Sequence, residues 1–128
     1  MNKPTFPTPS FVVTSADMAS EGLLVKIEIR RVLMAGFTCP VFVTSSVWKY
    51  ADGFDKGEDA GLLLKQALLD CAATAMDGIK EQWVKEGLDT KTAFEGPFTV
   101  AHKWHPELKL WLAWNYADGV TICYPRER

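Results

Sequence analysis

From Leu23 the chain alternates, with Leu23, Val25, Ile27 and Ile29 on one side and Leu24, Lys26, Glu28 and Arg30 on the other. A period of two with β-branched residues predicts a strand over 23–30. The alternation stops over Arg30–Ala35, where a helix competes, and Gly36 permits a turn. Val41–Tyr50 predicts a second strand, and Pro40 before it suits a strand beginning or an edge. Ala51–Gly61, with three glycines, predicts a loop.

A helix is predicted from Glu58 to Glu86. On a helical wheel of about 100° per residue, Leu64, Leu68, Cys71, Ala72, Ala75, Met76, Ile79 and Trp83 form one broad arc opposite Asp70, Asp77, Lys80 and Glu81. Asp55 and Glu58 have capping-box spacing, and Gly87 followed by Leu88 supplies a stop. An arc this wide implies a helix that touches a sheet and something beside it. The small side chains of Ala67, Cys71, Ala72 and Ala75 permit close approach.

After a polar connection, Leu88–Pro97, three strands are predicted: Phe98–His105, Leu108–Tyr116 and Gly119–Tyr124. Pro106-Glu107 and Asp118-Gly119 take the turns. The expected fold is therefore α+β, an antiparallel sheet packed on one long central helix. Its sheet combines an N-terminal strand pair with a C-terminal three-stranded meander. Residues 1–10, with Pro4, Pro7 and Pro9, predict an extended Pro-rich arm ahead of a single domain over 11–128. Phe11–Thr14 is a short strand-prone piece.

Even-length turns would put Phe98, Val100, His102, Trp104, Trp111, Ala113, Asn115, Val120, Ile122 and Tyr124 on one face of the meander. Leu108, Leu110, Leu112 and Trp114 then lie on the other. Both faces come out largely apolar, where a solvated antiparallel sheet shows one polar face. The leucine row suits burial under the helix. The row with His102, Trp104, Lys109, Trp111, Asn115 and Tyr124 mixes aromatic rings with polar tips, as interface cores do. The rival reading makes it a core layer under the N-terminal strands. A three-residue turn would change the facing of neighbouring strands.

Trp48–Phe54 and Trp114–Val120 share five identities in seven positions. The plainer explanation is two strands that each end in aromatic residues before a glycine turn. Were the turns adjacent, Asp52 and Asp118 would form an acidic rim beside Trp48 and Tyr50.

Composition narrows the classes. The chain has 128 residues, 48% hydrophobic and 23% charged, with a net charge of −2, which suits one globular domain. Five Trp stand out, three of them at Trp104, Trp111 and Trp114. No apolar run approaches the roughly 18 residues of a membrane span. Asp52 to Glu95 holds ten acids against five lysines, and the remainder is mildly basic. Neither part carries the clustered cations of a nucleic-acid surface. Cys39, Cys71 and Cys123 form no CxxC pair, so buried thiols in a reducing cytoplasm are expected. The acids Asp52, Asp55, Glu58 and Asp59 fail the EF-hand pattern, and no nucleophile or dinucleotide motif occurs. No metal and no cofactor are expected.

The functional expectation is a cytoplasmic, non-enzymatic protein-interaction domain, accessory or inhibitory, that forms a homodimer through its aromatic sheet face. The alternative is a small-molecule or nucleotide binder with a Trp/Tyr/His-lined pocket for a planar ligand. An enzyme using His102 with Cys123 or an acid is a third reading. The candidate site comprises His102, Trp104, Lys109, Trp111, Asn115, Tyr124, Trp48, Tyr50, Asp52 and Asp118.

Overall fold

A computed structural model describes residues 23–53, 60–102 and 105–127. The proline arm, the Phe11–Thr14 piece, the Asp55/Glu58 capping pair and Trp104 lie outside the described residues. In chain order the elements are β1 (Leu24–Lys26), α1 (Ile29–Ala35), β2 (Val41–Thr44), α2 (Ser45–Asp52) and α3 (Ala60–Lys85). Then come β3 (Ala93–His102), β4 (His105–Asn115), β5 (Gly119–Cys123) and a closing 3-10 turn, Pro125–Glu127.

The α+β class holds, but the two N-terminal strands are shorter than expected. Leu24 and Ile27 are buried while Leu23 and Ile29 are exposed, so the leading alternation does not describe one continuous strand. Ile29 instead opens α1. The second strand ends at Thr44, where its run of β-branched residues is interrupted by two serines. Val47 and Ala51, four apart, are the buried positions of α2, which is helical spacing.

The sheet is mixed, in the order β1-β2-β5-β4-β3, and not antiparallel throughout as expected. β2 and β5 run parallel, with Val41 opposite Val120 and Val43 opposite Ile122. Parallel neighbours need a long crossover. Here it consists of α2, α3 and the β3–β4 hairpin. Gly119, at φ +91°, starts β5 hard against the Pro40 carbonyl, and any Cβ there would collide with it. The neighbouring Val120 N–H donates to that same carbonyl at 2.9 Å.

Both turns of the meander correct the expected facing. β4 begins at His105 rather than Leu108, and the β3–β4 register shifts between Val100 and His102. That irregularity brings Phe98 opposite Leu110 and Val100 opposite Leu108. At the other end Asn115 pairs with Gly119, leaving Tyr116, Ala117 and Asp118 as an odd-length connection. Each change flips one strand. Phe94, Phe98 and Val100 therefore share a face with Leu108, Leu110, Leu112, Val120 and Ile122, and all eight belong to the core under the helices. The outer face carries Glu95, Thr99, Lys109, Trp111, Asn115 and Thr121. It mixes polar and apolar positions, and Phe42, Ala113, Thr121 and Cys123 on it are buried.

Helix α3 packs chiefly on β3. Its N-terminal half buries Leu64, Leu68, Leu69 and Ala72 completely. Beyond Ala72 no residue of α3 is fully buried, because β3 is the outermost described strand and the helix overhangs it. Gly96 lets the two elements meet there: a Cβ at that position would lie 2.9 Å from Ile79 Cγ2.

Candidate binding groove

The expected site residues do not form one cluster. Trp111 is half-buried on the outer face, and its indole N–H donates to the Glu95 carboxylate at 3.0 Å. Lys109, on the same face, is exposed and pairs with Glu107 at 3.5 Å. Asn115 and Asp118 close the β4–β5 turn together, the Asp118 N–H donating to Asn115 Oδ1 at 2.7 Å. Beside Tyr124 stands Arg126, whose guanidinium sits 4.3 Å from the ring centre. Burial pushes the Tyr124 hydroxyl up, Arg126 opposes this, and Tyr50 and Glu127 add to it. His102 and His105 form the last described backbone pair of the β3–β4 hairpin.

Trp48, Tyr50 and Asp52 lie on α2. The Lys65 ammonium sits 4.6 Å from the centre of the Trp48 ring and pairs with Asp52. The repeated letters therefore have different structures, a helix ending at Asp52 in one copy and a strand end plus turn in the other. Asp118 sits beside Pro40, at the start of β2, whereas α2 leaves from the opposite end of that strand. Asp52 pairs with Lys65 and Asp118 with Asn115, so the two acids are held by different partners.

A site the sequence did not single out lies at the β3 edge. The overhang of α3 leaves a groove of about 780 Å³ between the second half of the helix and β3. Cys71, Ala75, Ile79 and Phe98 form its apolar wall, and Trp83 and Trp111 stand in it. Both indoles converge on Glu95. Trp83 donates to its backbone carbonyl at 2.8 Å, and Trp111 donates to its carboxylate. Among the described residues that line the groove are three carboxylates, Asp70, Glu86 and Glu95, and no lysine or arginine. Asp70 and Glu86 are each held by the glutamine one turn earlier, Gln66 and Gln82.

The backbone direction of β3 follows from its bonds. The Tyr116 N–H donates to the Thr92 carbonyl across the β4 side. Backbone groups alternate sides along a strand, so Glu95, Pro97 and Thr99 direct theirs outward into the groove. Pro97 fits that position, since an outward residue has no N–H to give to β4. This proline, within a segment expected to be a connection, and the small residues along α3 were the signals available in the sequence.

Reactive chemistry has little support in the described residues. Burial pushes the Cys39 thiol up, against a smaller opposing hydrogen bond with the Val120 backbone, which disfavours the thiolate. Cys123 is buried on the outer face. No three His, Cys, Asp or Glu converge on a common point among the described residues. No described helix is long and apolar enough to cross a membrane. Comparison with protein-family models, curated proteins and solved structures returned no match.

Proposed function

We propose that this chain is a protein-interaction domain without chemistry of its own, and that it binds its partner in the groove between α3 and β3. The observation that carries this reading is an apolar groove running beside an edge strand whose backbone faces into it. Edge strands offer unpaired N–H and C=O groups and are blocked or used. A Gly78→Trp variant tests the reading. Gly78 lines the groove, and a Cβ there meets nothing within 4 Å, so the indole fills the groove without disturbing the core. A partner captured by the wild-type chain and lost by this variant supports the proposal; equal capture by both refutes it.

A small planar ligand is the second reading, favoured by a groove volume inside the roughly 300–1,000 Å³ of ligand sites and by its two indoles. Native mass spectrometry of the purified chain tests it through retained ligand mass. Self-association through the aromatic sheet face loses its motive once the register is corrected, because Phe42, Ala113, Thr121 and Cys123 on that face are already buried. Ile29, Leu33 and Met34 on α1 are 73%, 61% and 72% exposed and give a homodimer a better surface. Light scattering on wild type and on a Leu33→Glu variant separates these cases.

A further inference from the structure

Independently of the groove, we infer that residues 1–22 of this same chain cover the outer face of the sheet, docking on it through Phe11-Val12-Val13.

That face carries a bounded buried patch. Leu24 of β1, Phe42 of β2, Thr121 and Cys123 of β5 and Ala113 of β4 are all buried, Phe42 to 3% exposure. Phe42 lies opposite Thr121, and Thr121 opposite Ala113. At the rim Lys26, Pro97, Thr99 and Lys109 are exposed. Side chains stand roughly perpendicular to a sheet, so neighbours on the same face flank a phenylalanine ring without roofing it. Burial this complete needs a covering layer.

No described helix supplies that layer. Leu24, Phe42, Ala113 and Cys123 stand outside the cluster in which α1, α2 and α3 meet the inner face. The closing turn reaches β4. Its residues Pro125, Arg126 and Glu127 are themselves exposed, and so short a turn does not roof four strands.

The length and attachment of the remaining chain choose the occupant. Residues 54–59 leave α2 and enter α3 where those two helices touch on the inner side: a Cβ on Gly61 would lie 2.7 Å from the Ala51 carbonyl. Residues 103–104 join β3 to β4 beyond the His102–His105 pair, on the far side of exposed Lys109. Residues 1–22 instead join the fold at Leu23, beside Leu24 in the patch itself. From β1 to β4 is about 14 Å at ordinary strand spacing. The chain from Thr14 to Leu24 reaches about 33 Å when extended, so Phe11–Val13 can lie over any part of the patch. They are the longest run of large apolar residues within 1–22, and Phe42, Ala113 and Cys123 offer them an apolar floor.

Nuclear Overhauser spectra of the full wild-type chain test this without a substitution. Contacts are expected from the Val12 and Val13 methyls to the Phe42 ring and the Ala113 methyl, within one chain. Their absence overturns the inference. So do contacts found only between chains in a mixture of labelled and unlabelled protein, which would put a second copy on the face.

Alkylation by iodoacetamide, resolved by peptide mass, reads the cover chemically through Cys123 in the patch, with Cys71 on α3 as the reference. In a chain carrying Phe11→Asp, Val12→Asp and Val13→Asp, Cys123 should react at least about tenfold faster while Cys71 keeps its rate. Cys123 reacting at its wild-type rate in that chain overturns docking through these residues. Equal acceleration of both thiols shows that the substitutions loosen the whole fold, and the wild-type Overhauser contacts then decide.

Discussion

Glu127 illustrates how a single exposed side chain can join distant segments. Its carboxylate accepts hydrogen bonds from Thr44 at 2.9 Å, Ser46 at 2.5 Å and the Tyr124 N–H at 2.8 Å. It thus holds the closing turn against the first residues of α2, where a carboxylate also suits the helix dipole. Burial raises its pKa, yet the bonds from Ser46, Tyr124 and Thr44 with the Arg126 charge outweigh that and leave it below the ordinary value. A lowered folded pKa gives stability that is present above the unfolded value and lost as pH falls through the folded one. Glu127→Ala should therefore cost about 0.5–1 kcal/mol near neutral pH. The difference from wild type should fade in acid below about pH 4, as urea denaturation at several pH values would show. Gly96 supplies a second residue-scale expectation. Gly96→Ala should destabilise by about 1–2 kcal/mol, and by clearly less when Ile79 is also Ala, because the clash is with that side chain.

Among the elements, α3 and the leucine row of β4 were legible in the sequence. A helical arc of eight apolar positions and three leucines at period two each specify a buried face without reference to a partner. The pairing of those faces was not legible. It depended on one register irregularity near Val100 and on whether the β4–β5 connection held two residues or three, features set by tertiary fit and not by local composition. Those two residues of difference turned an imagined two-sided apolar meander into a sheet with one core face and one mixed face. The groove was not legible for a related reason: it depends on β3 lying at the edge, which Pro97 and the small residues along α3 signal only weakly. Trp83 ties the end of α3 to that edge through one hydrogen bond. Trp83→Phe keeps the ring and removes the donor, so it should cost about 1 kcal/mol. Amide exchange should quicken in the last turns of α3 while β4 and β5 stay protected.

The sheet as a whole is joined at β2 and β5. Without that parallel pair, β1 and β2 would be separate from the β5-β4-β3 meander. Val41, Val43, Val120 and Ile122 are all fully buried at the join. Ile122→Ala should cost about 3 kcal/mol and lower the stability of both parts together. Trp48 on α2 and Trp111 and Trp114 on β4 give probes on both sides. Fluorescence and circular dichroism should trace one coincident transition on heating or in urea; two separated transitions would show that the halves are independent.

The strand order has a consequence during synthesis. β5 is the last of the five described strands to be made, yet it occupies the middle of the sheet. While the ribosome is still adding residues, the β1–β2 pair and the β3–β4 hairpin stand apart, each with the edge meant for β5 bare. Those edges invite pairing with other nascent chains. Premature termination before Gly119 would leave them bare permanently and should send the product to proteases or aggregates. Trimming that leaves Gly119–Glu127 intact spares the keystone.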